Sequence, residues 1–402
     1  MAAAKRTVPL VSVLLTVTLA TVAPGFAHKS ICILEDFDDL KYRALCYTDI
    51  VPLYRAEGLR DSRIPYLEAD NEYPVGTGAL MWVASLVGRS EGGFFVTNAA
   101  LLLLLALATT WVLYRLVGER ALYFAAAPTL ALSALVNWDL LPVALSTAAV
   151  AAFLRRRDRW AGVLLGLAVA AKAYPILFLV PLVADRLRSG ERRRAGTILI
   201  ATLGTVLLVN LPLAIAAFDR WSYFLRFSAQ RGATPGTLWA TTCRVVGASG
   251  DCGGGSAAAL LSLTAFVALA WFAWTRQRAQ DPGFPRWTLC LPFLIAYLLT
   301  SKVYSPQHSL WLLPWFALVL PDLRLFVAFE AADLMVFAME FSYLRTLQQD
   351  GTMPSWPLDV AVLLRAAGLV CVLLAYARSR TRNAPERSSV QVRTKMSPSL
   401  SS

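Results

Sequence analysis

The chain has 402 residues, 57% of them apolar and only 16% charged. Soluble domains carry about 25% charged residues, so this composition excludes an ordinary water-soluble enzyme. The net charge of +12 would suit a nucleic-acid binder, but the arginines are placed otherwise. Arg155, Arg156, Arg157 and Arg159 form one cluster, Arg186, Arg188, Arg192, Arg193 and Arg194 a second, and Arg378, Arg380 and Arg382 a third. Each lies between or just beyond apolar segments, which is the positive-inside pattern of a polytopic membrane protein. Nucleic acid is not an expected partner; membrane lipid is.

In chain order, Lys5 and Arg6 precede an apolar stretch over 8–27 and hold the N-terminus inside. Gly25-Phe26-Ala27 resembles a small-residue cleavage site; an uncleaved first helix is preferred to a signal peptide, and either way the chain emerges outside. Residues 28–93 then form a long acidic first extracytoplasmic loop. Further spans are expected near 94–117, 121–136, 140–154, 160–172, 175–185, 196–217, 256–275, 286–300, 308–320, 323–344 and 357–377, about twelve with the first. Several are short, which suits helices buried among other helices. The apolar piece 75–88 must not cross, because a crossing there would turn all three arginine clusters outward. It is therefore expected as a re-entrant or interfacial helix. Residues 1–380 read as one multi-pass domain, and 381–402, rich in Ser, Pro and Arg, as a disordered cytoplasmic tail. No internal repeat is visible.

This topology collects the unusual polar residues on one face. Asp49, Glu72, Tyr73, Asp139, Lys172, Tyr174, Lys302, Tyr304 and, just inside the next helix, His308 all fall outside. Ionisable groups in apolar surroundings are costly and mark sites of function. Each also has a plainer reading: Lys172 as a lysine snorkelling to the interface, Asn137-Trp138-Asp139 as a polar hairpin, His308 as a helix-start histidine. Asp36, Asp38 and Asp39 form a D-x-D pattern, but a metal-nucleotide site belongs in the cytoplasm, so no metal is expected there.

Two charges lie deeper. Asp333 is about 15 Å from the inner end of its span and Arg365 about 12 Å from the outer end of the next. They share a depth, and a structural ion pair is expected between them. Of six cysteines, Cys32, Cys46, Cys243 and Cys252 are outside, where disulfides persist. Local pairs Cys32–Cys46 and Cys243–Cys252 are preferred to a bridge between the two long loops, 28–93 and 218–255.

The segments Cys-Tyr-Thr-Asp-Ile-Val-Pro-Leu-Tyr-Arg (46–55), Ile-Pro-Tyr-Leu-Glu (64–68), Glu-Tyr-Pro-Val-Gly-Thr-Gly (72–78), Lys-Ala-Tyr-Pro (172–175) and Lys-Val-Tyr-Ser-Pro-Gln-His-Ser-Leu-Trp-Leu-Leu-Pro (302–314) resemble, in order and spacing, glycosyltransferase family 87. These are GT-C membrane enzymes related to the actinobacterial polyprenol-phosphate-mannose-dependent mannosyltransferases. The resemblance implies an all-α GT-C-like helical bundle in the cell membrane, with an extracytoplasmic active site and the catalytic aspartate on the first loop, here Asp49. It implies a polyprenyl-phosphate sugar as donor, often mannose, and no cofactor. His308 matches a histidine used in some relatives. The acceptor, a glycan or glycolipid, varies across the family and does not transfer, nor does the linkage.

Chemically, the donor's phosphate is already a leaving group. Asp49 suits deprotonation of an acceptor hydroxyl; Lys172, Lys302 and His308 suit the charge growing on the phosphate; and Tyr73, Tyr174 and Tyr304 suit sugar hydroxyls, with Glu72 and Asp139 as further substrate ligands. Inversion is expected. The rival classes are a secondary transporter or lipid flippase, favoured by Glu330 and Asp333 within a span, and a non-catalytic assembly partner.

Overall fold

The computed structural model describes residues 9–247, 255–349 and 351–379. The basic tail from 381 onward and Cys252 lie outside the described residues. All regular structure among the described residues is helical. The order begins with α1 (Leu10–Glu35), the first-loop helices α2 (Phe37–Arg43) and α3 (Ile50–Ala56), then α4 (Val75–Val87) and α5 (Glu91–Val117). Next come α6 (Leu122–Ala125), α7 (Pro128–Ser133), α8 (Leu140–Leu154), α9 (Asp158–Ala171), α10 (Leu179–Arg188) and α11 (Arg192–Ala216). The second loop carries α12 (Phe218–Trp221), α13 (Tyr223–Gln230) and α14 (Leu238–Val245). The chain ends in α15 (Gly255–Gln280), α16 (Cys290–Thr300), α17 (Leu313–Leu318), α18 (Leu323–Gln348) and α19 (Trp356–Arg378).

Five helical stretches are long and apolar enough to cross a bilayer: Leu10–Glu35, Glu91–Ala125, Arg192–Ala216, Gly255–Gln280 and Trp356–Arg378. Shorter apolar helices, among them α4 and α8, fill the space between them. Four expected spans are not single α-helices, 286–300 among them, which opens as a 3-10 turn at Arg286–Leu289 before α16. The 121–136 stretch breaks between α6 and α7, where Pro128 takes the first position of a new helix. The 175–185 and 308–320 stretches each begin as 3-10 turns, at Tyr174–Phe178 and Pro306–Trp311, with Pro175 and Pro306 at their starts. Proline lacks the N–H that a continuing α-helix needs. Apolar composition alone does not report such breaks.

Helices α8 and α9 form an antiparallel pair joined by the first arginine cluster. Gly162 and Gly166, one turn apart on α9, lie against α11, where a methyl at Gly162 would meet the Ile198 carbonyl oxygen at 2.7 Å and one at Gly166 that of Thr202 at 2.7 Å. Small residues at this spacing let helix backbones approach closely in a membrane.

The turns at the far end of this pair are basic and mutually bonded. Arg186 donates to Asp158 at 2.7 Å and 2.9 Å, Arg194 reaches the same carboxylate at 3.5 Å, and Arg156 pairs with Glu191. The 185–194 and 286 turns also meet there, through the Arg286 N–H on Asp185. At the opposite end, α8 starts from Asp139 and α9 stops at Lys172. With 15 and 14 residues, these helices separate the two ends by about 21–22 Å.

Helix α4 begins and ends at the Lys172 end. Thr77 donates to the Ala171 carbonyl at 2.7 Å near its start. Just past its end, Glu91 accepts two bonds from Arg55 of the first loop at 2.5 and 2.7 Å. The Cys32–Cys46 disulfide fastens the end of α1 to the segment leading to Asp49.

The two deep charges meet. Arg365 on α19 donates to Asp333 on α18 at 3.2 Å, both almost fully buried. Asp333 also accepts from Ser309 at 2.6 Å and Thr129 at 2.8 Å, while Arg365 bonds the carbonyls of Gly236 and Tyr304 at 2.6 and 3.3 Å. Breaking a buried pair from one side costs about 3–5 kcal/mol, because the remaining charge is left uncompensated. Arg365→Met alone is therefore expected to lower folded yield more than the Arg365→Met/Asp333→Asn double variant, measured by size-exclusion recovery from detergent. Equal yields would reject the pairing as a coupled unit.

Candidate active site

Asp49 stands just before α3, and its own N–H donates to the Val136 carbonyl at 2.7 Å, which sets the first loop against the turn before α8. Thr48 strengthens the same joint by donating to Leu135 and Val136 at 2.7 and 3.2 Å. The Asp49 carboxylate accepts three side-chain bonds: Tyr47 Oη at 2.7 Å, Tyr73 Oη at 3.2 Å and Asn137 Nδ2 at 3.4 Å. It is surrounded by protein yet keeps accessible surface, as the floor of a recess does. Burial raises its carboxyl above the usual range, and the bond from Tyr47 and the charge of Lys172 oppose that shift. Glu72 beside it is pushed up to about 7, by burial first and then by the Asp49 charge.

Beside Asp49 stands a buried ion pair. Lys172 Nζ lies 2.6 Å from Asp139 Oδ1, and Trp311 Nε1 donates to the same oxygen at 2.7 Å. Asp139 is fully buried, and its Oδ2 has no protein partner. The ammonium sits 5.7 Å from the Tyr73 ring and 5.4 Å from the Trp311 ring, adding cation–π attraction. Trp311 is in turn stacked, Tyr174 at 3.9 Å and His308 at 4.3 Å. His308 is buried and its Nδ1 has no protein partner.

The structure thus brings Asp49, Glu72, Tyr73, Asp139, Lys172, Tyr174 and His308 together from five separate stretches of chain. Tyr174 is buried with its ring against Trp311 and its hydroxyl bonded to Ser146. Tyr304 lies next to His308, at 6.5 Å, but its hydroxyl bonds Ser309 and its ring carries the Arg365 guanidinium at 3.6 Å. Lys302 points elsewhere: its ammonium donates to the Ala229 carbonyl of the second loop at 2.8 Å. The expectation that Lys302 faces the same recess as Lys172 is not met, since a long side chain on a turn follows the acceptor that packs against it.

Several residues escaped the sequence reading. Tyr47 stands two residues before Asp49 and Asn137 two before Asp139, so both were legible as polar neighbours. Trp311 is three residues past His308, the spacing of one 3-10 turn. Lys29, buried in α1, bonds the Tyr47 carbonyl, and Arg231 reaches Glu72 and His308 electrostatically from the second loop. Nothing local in the sequence marks either one.

The family model of glycosyltransferase family 87 covers residues 72–306. Glu72, Tyr73, Asp139, Lys172, Tyr174, Lys302 and Tyr304 fall within that stretch, while Asp49 and His308 flank it and are joined to it only by the fold. No curated protein matches the chain. The matched stretch is more than half of the sequence, it includes both partners of the buried Asp139–Lys172 pair, and it runs through membrane-length helices: the chain belongs to glycosyltransferase family 87 and is a membrane glycosyltransferase.

Proposed function

We propose that this glycosyltransferase moves a hexose, with mannose as the first candidate, from a polyprenyl-phosphate sugar to a glycan or glycolipid acceptor on the extracytoplasmic side of the cell membrane. The observation that carries this reading is the accessible Asp49 carboxylate beside the Lys172–Asp139 pair, at the end of α8 and α9 opposite the arginine-rich turns. Basic turns stay with the cytosol, and the Cys32–Cys46 disulfide near Asp49 suits an oxidising exterior. The recess then opens outward.

In the proposed step the acceptor hydroxyl gives its proton to Asp49 as its oxygen attacks the anomeric carbon. The bond from that carbon to the phosphate oxygen breaks, and its electron pair leaves with the phosphate. Attack opposite the leaving group inverts the anomeric configuration. A base whose pKa approaches the working pH is the most effective, and burial moves Asp49 in that direction. The Lys172 ammonium lies at the recess to meet charge developing on the phosphate. The free Asp139 Oδ2 and His308 Nδ1 accept or donate bonds to sugar hydroxyls, and the step requires no metal. The intramembrane acids that spoke for transport have protein partners: Glu330 accepts from the Thr129 N–H at 2.8 Å and Asp333 from Arg365.

Asp49→Asn is expected to cut transfer by about 10²–10⁴-fold while leaving folded yield and donor binding near wild type, measured with labelled polyprenyl-phosphate sugar and purified protein. Full activity in that variant would remove the base assignment, and movement of label across vesicles without chemical change would favour transport.

The acid limb of the pH–rate profile should lie above the ordinary aspartate range, because Asp49 must be ionised to act and burial raises its pKa. Lys172 lowers that pKa, so Lys172→Met should move the limb to higher pH besides reducing the rate. A limb unmoved in Lys172→Met would show that Asp49 does not set it.

A further inference from the structure

A lipid phosphate entering the recess brings negative charge to a place already holding Asp49, Glu72 and Asp139. The nearby cations are mostly committed. Lys172 is bonded to Asp139 at 2.6 Å, Lys302 to the Ala229 carbonyl, and Lys29 is buried on the Tyr47 carbonyl. Arg231 differs. It is exposed, and its guanidinium rests 5.6 Å from the Phe227 ring, with no carboxylate at ion-pairing distance among the described residues.

The segment that carries Arg231 is pinned in place. Thr234 N–H donates to the Lys302 carbonyl at 2.9 Å, and Tyr304 N–H donates to Thr234 Oγ1 at 3.1 Å. Two residues further on, Gly236 is held on both sides, its carbonyl by Arg365 at 2.6 Å and its N–H by Glu340 at 3.2 Å. Arg231, three residues before Thr234, therefore stands close to the 302–304 turn, and its charge is felt at both Glu72 and His308.

The chain leading to it is suited to lipid. Helices α12 and α13 bury no residue, yet they display Phe218, Trp221, Phe224 and Phe227, with Trp221 edge-on to Phe224 at 6.0 Å. Aromatic residues mixed with arginines on an exposed helix belong to the membrane–water interface.

We infer that Arg231 grips the phosphate of the lipid-linked donor, with the aromatic face of α12 and α13 receiving the first part of its prenyl chain. This rests on the reading of the donor as a polyprenyl-phosphate sugar. A guanidinium offers a planar fork that bonds two phosphate oxygens at once, which a lysine does not. Arg231 anchors the donor and leaves proton transfer to Asp49.

The test is equilibrium binding of sugar-free polyprenyl phosphate to the purified full chain, as wild type, Arg231→Gln, Arg231→Lys and Asp49→Asn. Unphosphorylated polyprenol and inorganic phosphate serve as competitors. Loss of a charge-assisted bidentate contact is expected to weaken binding by about tenfold or more in Arg231→Gln, with Arg231→Lys intermediate and Asp49→Asn no weaker than wild type, since it removes a like charge. Polyprenol should compete equally weakly in every form. Unchanged affinity in Arg231→Gln would overturn the role of Arg231 and leave the donor class standing. An equal loss in polyprenol binding would overturn it too, because the loop rather than the charge would then be responsible. Absence of binding by the wild type would overturn the donor class, and competition by inorganic phosphate at the same concentration would show a site for free phosphate instead.

Discussion

The Asp139 carboxylate is wholly buried, and the site depends on how that charge is compensated. Its partners come from distant parts of the chain, Lys172 from the end of α9 and Trp311 from the 3-10 turn before α17. A buried carboxylate deprived of its partner costs several kcal/mol, so these three stretches stay together wherever the protein is folded. The consequences spread from there. Lys172 lends its field to Asp49, and Trp311 carries Tyr174 and His308 on its two sides. One ion pair thus closes the bundle at this end and sets the positions of the candidate site groups around it.

A second buried pair does comparable work for the outer loops. Asp333 and Arg365 share a depth inside the bundle, and the bonds they have left over hold Ser309, Tyr304 and Gly236. The 304–309 turn carries His308, and the segment before Gly236 carries Arg231. The pair is too enclosed to touch a substrate, and its role is to fix two loops whose backbones have no regular ladder of their own. The buried acids of this protein therefore divide by access. Asp333 has its bonds made by protein and sets geometry, Asp139 is buried yet keeps one oxygen unpartnered, and Asp49 and Glu72 retain accessible surface.

Much of this was legible in the sequence where a local rule applied. Helix α8 occupies the apolar run 140–154 to the residue, because nothing inside that run interrupts it. The Asp333–Arg365 contact followed from counting rise per residue, and the Cys32–Cys46 bridge from nearness in a short loop. The reading failed where tertiary packing decides. Apolar composition is the same in an α-helix and in a 3-10 start, so the breaks at Pro128, Pro175 and Pro306 passed as continuous spans. The direction of Lys302 escaped for a similar reason: it sits on a turn with a long side chain, and where that chain points depends on where the second loop docks, a contact made across more than 70 residues.

The same dimensions bear on the kind of substrate. Helices α8 and α9 span about 21–22 Å, less than the roughly 30 Å hydrocarbon thickness of a bilayer. If the arginine turns lie at one headgroup layer, the Asp139–Lys172 end lies below the other, in a hollow walled by α4 and the first loop. A sugar carried by a water-soluble nucleotide would have to descend into that hollow against the cost of losing its hydration. A sugar carried on a membrane lipid arrives laterally, with its phosphate already at headgroup level and its chain against the aromatic α12–α13 surface. On the proposed reading, the shortness of two helices, the raised carboxyl of Asp49 and the exposed Arg231 belong to one arrangement: a reaction centre sunk just beneath the membrane surface and supplied from the side.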